Sequence, residues 1–193
     1  MAKRKYEFRP DKPNTDLFSR LYLTKTQRLT ILRWILYAAL LLVLSVIQDV
    51  VLCKVNVLGA STDLVPCAII LICVQMGADR SCIFSLIAAT LYQFSGMSPG
   101  YYVIALIPLC GVLAAVLHQS FFRKSLSSTL LCSCAAVVLY EACVLGFGLL
   151  FRNTIAARSL SFFITALLSL LSYPVLYPLT NAIEKIGEKL WKD

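Results

Sequence analysis

The stretch from Trp34 to Ile183 is almost free of charge, and this feature limits the folds open to the chain more than any other. Besides His118, it holds ten ionisable Asp, Glu, Lys and Arg side chains: Asp49, Lys54, Asp63, Asp79, Arg80, Arg123, Lys124, Glu141, Arg152 and Arg158. A water-soluble domain of this length needs polar side chains on its solvated faces. A bilayer imposes the opposite pattern, because one charge at its centre costs about 2.5–3.5 kcal/mol. The stretch therefore predicts an integral membrane protein.

Composition and motifs exclude several other classes of protein. The net charge is +8, but the basic residues cluster beside apolar segments without a base-reading module, so nucleic acid is not an expected partner. The eight cysteines contain no Cys-x-x-Cys pair and His118 is the one histidine, which argues against a zinc site. We expect the cysteines to pack as small apolar residues. Because no catalytic or phosphate-binding motif is present, we expect neither an enzyme nor a bound cofactor.

Six apolar segments can be drawn along the chain. A membrane-spanning helix needs about 20 apolar residues, within a range of about 17–25. The third segment has about 15 residues and reaches only about 22 Å, which makes it the weakest of the six. We therefore expect an all-α integral membrane protein with six transmembrane helices, some of them short. The segments cover residues 29–49, 61–78, 81–95, 101–118, 126–151 and 159–183.

The distribution of lysine and arginine predicts the orientation in the membrane. Cytoplasmic flanks of membrane helices carry an excess of these residues. With both termini inside, fifteen of the 18 basic residues fall on the cytoplasmic side and three on the external side. We therefore expect a multi-pass membrane protein with both termini in the cytoplasm. Its parts are a basic, disordered or interfacial segment over 1–28, a six-helix domain over 29–183, and a short basic helix end over 184–193.

Glu141 is the charged side chain that lies deepest in a predicted span, between Tyr140 and Ala142 of the fifth segment. An ionisable residue inside a membrane is by default a candidate proton relay, ligand contact or partner contact. The alternative is a protonated side chain that hydrogen-bonds between helices. No lysine or arginine lies at a comparable depth, so an ion pair has no obvious donor. Both interpretations stay open at this point.

Five other polar side chains are candidate intramembrane polar or partner contacts. Gln48 and Asp49 close the first span and Asp63 opens the second, near the external interface. We expect these three to cap or orient helix ends. Gln75 and Gln93 lie inside spans, where we expect interhelical hydrogen bonds.

Two features predict local geometry. His118 ends the fourth span and is expected at the inner interface. Pro174 and Pro178 are expected to kink the last helix near the inner leaflet, because proline removes a helical hydrogen bond and clashes with the preceding turn.

A set of short motifs runs from the first span to the fourth. Gln48 ends the first span, and a loop with Gly59 leads to Asp63-Leu64-Val65. Gly77 and Arg80 form the next turn. A Ser-Gly-x-x-x-Gly turn, formed by Ser95, Gly96 and Gly100, follows the third span. The fourth span contains Gly111. In these positions the chain resembles MreD, the family of bacterial rod-shape-determining membrane proteins.

The chain departs from the pattern of that family at four positions. Thr62 stands where the family often has proline, and Tyr92 stands where it often has aspartate. Ala88 and Ala89 replace glycines that are usual in the third span. Pattern and hydropathy together cover about residues 29–183.

The resemblance implies a non-enzymatic scaffold subunit of the cell-elongation machinery that builds peptidoglycan and sets rod shape. Such a subunit associates with the bitopic protein MreC. Through MreC it connects with MreB filaments, a glycosyltransferase of the RodA type and a penicillin-binding transpeptidase. The implied mechanism is helix packing through small-residue faces, with basic contacts to membrane lipids at the inner leaflet.

An alternative comes from another class of protein. Six short spans also resemble the substrate-binding subunits of energy-coupling-factor vitamin transporters, a fold that MreD resembles. Those subunits typically carry Ala-x-x-x-Ala in the first helix to dock the transport module. Here Ala38 and Ala39 are adjacent and do not have that spacing, which argues against a vitamin-transporter subunit.

Overall fold

The computed structural model describes residues 25–54, 60, 62–96, 98–121, 125–151 and 159–186. Within these ranges the chain is all-helical. The helices are α1 (Lys25–Val50), α2 (Leu64–Met76), α3 (Ala78–Phe94), α4 (Val103–Phe121), α5 (Leu126–Leu150), α6 (Ser159–Leu171) and α7 (Tyr173–Lys185), with a 3₁₀ turn at Leu52–Lys54. Outside the described residues lie most of the predicted N-terminal segment, Gly59, Arg123, Lys124, Arg152, Arg158, and the predicted helix end from residue 187 onward.

Three of the described helices are long and apolar enough to cross a membrane, namely α1, α4 and α5. The count rises to four if the bent pair α6 and α7 forms a single span. This architecture is compatible with a helical membrane protein. Each of the six predicted segments contains helix, and the sixth is divided between α6 and α7.

Helix α2 forms the centre of the structure. Eleven of its 13 residues are buried, from Leu64 to Val74. It packs against α1, α3, α4, α5, α6 and α7. Its sequence, LVPCAIILICVQM, is apolar on all sides up to Gln75, and a helix with that pattern is buried by its neighbours. Small residues allow close approach, since a Cβ atom placed on Gly111 of α4 would lie 3.1 Å from Sγ of Cys73.

The connection between α6 and α7 is a sharp bend of 46° at Ser172. Pro174 occupies the first turn of α7, so the chain before it cannot continue as a regular helix. The predicted kink is therefore present. It falls at the middle of the sixth segment and not at the inner end where it was predicted, because Pro174 terminates α6 while Pro178 is accommodated inside α7.

Three glycines of the short motifs lie at connections between helices. Gly77 joins α2 to α3 with φ +87° and ψ 162°. Ser95 ends α3, and Gly96 follows with φ +78°. A Cβ atom on Gly100 would lie 2.5 Å from the ring of Tyr102. These residues therefore form the turns that their sequence positions predict.

The cysteines carry no disulfide bond among the seven that the structure describes. Four of them are buried in the apolar core: Cys67, Cys73, Cys110 and Cys132. This is the packing role expected of cysteine inside apolar runs.

Candidate functional site

Five polar side chains from four regions of the chain meet at one end of α2, and we call them the acidic cluster. Its members are Gln48 of α1, Asp63 at the start of α2, Tyr92 of α3, and Tyr140 and Glu141 of α5. The carboxyl groups of Asp63 and Glu141 lie close enough for their charges to repel each other. Both tyrosine hydroxyls lie within electrostatic range of both carboxyl groups. The cluster therefore concentrates negative charge and hydroxyl groups in an apolar protein.

The side chain of Gln48 builds one wall of this cluster. Its Oε1 accepts a hydrogen bond of 2.9 Å from the backbone N–H of Val65, in the first turn of α2. The first N–H groups of a helix have no partner inside the helix. Gln48 satisfies one of them, and Pro66 at the next position has no N–H to satisfy. Gln48 thus orients a helix end as expected, although the helix is α2 and not its own.

Asp63 stands at the N-cap position of α2, but its side chain makes no capping hydrogen bond. The capping role predicted for it is therefore wrong. Its backbone N–H donates to Oγ of Ser169 in α6 at 3.1 Å, which ties the start of α2 to α6. The carboxyl group of Asp63 lies within electrostatic range of Glu141. Asp63, predicted at the external interface, lies beside the side chain predicted to be deepest in a span.

Three oxygen atoms of the acidic cluster have no hydrogen-bond partner among the described residues. They are the hydroxyls of Tyr92 and Tyr140 and Oε1 of Glu141. The Tyr92 hydroxyl faces the Gln48 amide without forming a well-shaped hydrogen bond. Buried polar atoms are nearly always paired, so three orphans in one cluster point to a functional site. A protonated Glu141 that hydrogen-bonds between helices stays an alternative prediction.

Burial differs across the cluster. Glu141 is only 4% exposed, and Tyr92 and Tyr140 are buried, whereas Asp63 is partly exposed. No lysine or arginine in the described part of the chain contributes to the electrostatics of either carboxyl group. Glu141 is therefore the less exposed of the two carboxyl groups.

The remaining predicted polar residues have separate roles. Gln75 donates from Nε2 to Oγ1 of Thr180 at 2.9 Å and so joins α2 to α7, the interhelical contact expected of it. Gln93 accepts from the hydroxyl of Ser98, which is a local turn contact and not the predicted interhelical one. Asp49 is exposed near the end of α1.

His118 lies near the end of α4, and its side chain is buried within the protein. Its Nε2 lies 3.2 Å from Oγ1 of Thr129 and 3.4 Å from Oγ of Ser128. These contacts join the C-terminal end of α4 to the first turn of α5, which places two hydroxyls around the ring.

An apolar groove of about 380 Å³ runs between α1 and α3. Its lining includes small residues from both helices and exposed leucines such as Leu42 and Leu91. Trp34 and Phe84 pack edge to face across one end, with ring centroids 5.7 Å apart. Tyr92 belongs both to this groove and to the acidic cluster. The groove residues are Trp34, Ala38, Leu41, Leu42, Ser45, Val65, Phe84, Ile87, Ala88, Leu91, Tyr92 and Ser95.

Sequence reasoning missed the groove, although a signal was present. Ala38 and Ser45 are seven residues apart on α1, and Ala88 and Ser95 are seven apart on α3. Seven residues are about two helical turns, so each pair places two small side chains on one helix face. Facing small residues leave space between two helices where larger side chains would fill it.

Arg80, predicted in the turn after α2, is exposed in the first turn of α3. It lines a polar cleft of about 190 Å³ together with Arg33, Gln75 and Glu184. With Trp34 and Tyr37 also in its lining, this cleft has the mixed aromatic and basic character of a membrane interface.

The acidic cluster can hold positive charge, but it contains no nucleophile paired with a base. Across the described ranges, no group of three or more His, Cys, Asp and Glu side chains is placed to bind a metal ion. No protein-family profile, curated protein or solved structure matches this chain.

Proposed function

We propose that this chain is a non-enzymatic, multi-pass subunit of the bacterial plasma membrane that works by packing against other membrane proteins, as MreD does. The observation that carries the proposal is the open apolar groove between α1 and α3. Lipid tails are as apolar as leucine, so helices associate in membranes through close packing at small residues. A groove lined by small residues and exposed leucines can accommodate one more transmembrane helix.

The partner that fits this groove is a bitopic protein of the MreC type, which supplies a single transmembrane helix. Ala38 and Ser45 on one wall and Ala88 on the other permit close backbone approach. Through that partner the chain would connect to MreB filaments, a RodA-type glycosyltransferase and a penicillin-binding transpeptidase. The chain itself would contribute shape and position to the assembly and no chemistry.

The turn residues that carry the MreD resemblance support this assignment. Gly77 holds a backbone conformation that side chains disfavour, and Gly96 has a positive φ after α3. Gly111 allows α4 to approach α2, and Gln48 caps α2. These four motif residues thus shape connections or close contacts between the described helices.

Six spans with both termini in the cytoplasm agree with the helix order and with the basic residues. Helix α2 is short, at about 20 Å by its 13 residues. Its burial by six other helices removes the need for a full-length apolar surface, because its ends contact protein and not lipid. Helix α3, with 17 residues, reaches about 25 Å.

Filling the groove is expected to weaken partner binding. An Ala38→Trp substitution places an indole on the groove wall, where it would occupy the space of the partner helix. We expect at least about a tenfold loss of co-purified MreC-type protein from native membranes, equivalent to about 1.4 kcal/mol. The matched control is Ala39→Trp, because Ala39 is also exposed on α1 but does not line the groove. It should change recovery less than about twofold, and an equal loss in both variants would contradict the groove as the binding site.

The vitamin-transporter alternative makes a different prediction. A substrate-binding subunit would bind a vitamin tightly in its purified form, without MreC. Calorimetric titration with thiamine, riboflavin and biotin tests this directly. Saturable binding of any of them would overturn the scaffold proposal.

A further inference from the structure

We propose that the acidic cluster is a binding site for a small monovalent cation, which is held between the carboxylates of Asp63 and Glu141. This inference does not depend on the proposed scaffold function. It concerns the acidic cluster, which shares Tyr92 with the groove in which a partner would bind.

The first argument is charge. Glu141 is 4% exposed, and a carboxylate removed from water is costly unless a positive charge accompanies it. Asp63 lies close enough to repel it. Among the described residues, no lysine or arginine provides a compensating positive charge to either carboxyl group. A bound cation would relieve both the desolvation and the repulsion.

The second argument is the chemistry of the available atoms. The cluster offers carboxyl oxygens from two residues and hydroxyl oxygens from Tyr92 and Tyr140. Three of these oxygens have no hydrogen-bond partner among the described residues. Hard oxygen ligands of this kind suit cations such as alkali and alkaline-earth ions. One cation could coordinate several of these unpaired oxygen atoms at once. A shared proton would form a hydrogen bond between only two of them.

The third argument concerns the charge of the ion. Asp63 stands at the N-terminus of α2, where the helix dipole contributes about half a positive charge. This partly balances one of the two carboxylates, so a single positive charge suffices. The described residues also contain no group of three or more His, Cys, Asp and Glu side chains that could hold a metal ion of higher charge.

The test is the thermal stability of the purified protein in detergent, followed by intrinsic fluorescence. Samples in NaCl, KCl and N-methyl-D-glucamine chloride are compared at equal ionic strength and neutral pH. We expect at least one alkali chloride to raise Tm by about 4–8 °C at a concentration roughly 30-fold above its Kd. The large organic cation should have no such effect.

Matched variants locate the effect. Glu141→Gln should abolish the salt-dependent shift in Tm, and Tyr140→Phe should weaken it. Asp49→Asn, which removes an exposed carboxylate near the end of α1, should leave the shift intact. If Glu141→Gln fails to fold, the wild-type salt series and Tyr140→Phe still decide the matter, with Tyr101→Phe as the control for an exposed tyrosine.

Two outcomes would overturn the proposal. One is equal Tm in all three chloride salts. The other is a Tm that rises on acidification but does not distinguish the salts, which would identify the occupant as a proton. Because the assay uses purified protein without a partner, its result is independent of the co-purification experiment with Ala38→Trp.

Discussion

A Gly77→Ala substitution is expected to destabilise the protein by about 2–4 kcal/mol. At φ +87° and ψ 162°, Gly77 occupies a region of backbone space that is essentially restricted to glycine, and a side chain there costs about 1–3 kcal/mol. The new Cβ atom would also lie 2.3 Å from Nε2 of Gln119, so that side chain must move. The turn between α2 and α3 cannot relax easily, because α2 is buried on all sides.

Two other glycines provide graded controls for this prediction. Gly96 has φ +78°, but a Cβ atom added there would meet no atom within 4 Å, so Gly96→Ala should cost only the backbone strain, about 1–2 kcal/mol. Gly146 lies within α5 in open space, and Gly146→Ala should be neutral or stabilising by up to about 1 kcal/mol. Denaturant unfolding in detergent, followed by tryptophan fluorescence, measures all three. Equal stability of Gly77→Ala and Gly146→Ala would refute the strained turn.

An Ile70→Ala substitution in the middle of α2 is expected to cost about 2–5 kcal/mol. Ile70 is 0% exposed, and removal of its side chain leaves a cavity that the six surrounding helices can fill only in part. The matched control is Ile83→Ala in α3, where the side chain is 61% exposed and the change should stay within about 0.5 kcal/mol. The same unfolding assay compares the two variants. Similar losses of stability would mean that α2 is not the protein-covered centre of the bundle.

The positions of the helices could be predicted because apolar segments are separated by charges, glycines and prolines. The bend between α6 and α7 could be predicted from Pro174. Its location at Ser172 could not, because two prolines lie in the segment and the packing decides which of them ends a helix. The backbone conformation of Gly77 could not be predicted either, because the sequence motif indicates a turn but not its dihedral angles.

The acidic cluster could be predicted only in part. Glu141 was identifiable from its depth in an apolar run, and Gln48 and Asp63 from their places at span ends. Their meeting depends on how α1, α2 and α5 pack, and no local pattern encodes it. Gln48 caps a helix that begins sixteen residues later, whereas local capping rules consider only neighbours a few residues away. Tyr140 carried no signal, because tyrosine is common in apolar segments, and Tyr92 was noted only as a departure from the resembled family.

Site-specific photo-crosslinking from α1 to the bitopic partner tests the central claim most directly. A benzophenone amino acid is placed at Leu42, which lines the groove and is 66% exposed, or at Val43, which is 53% exposed but lies outside the groove. We predict a crosslink to the transmembrane helix of the MreC-type protein from Leu42 and none from Val43. Equal crosslinking from both positions, or none from Leu42 while the partner still co-purifies, would contradict the account.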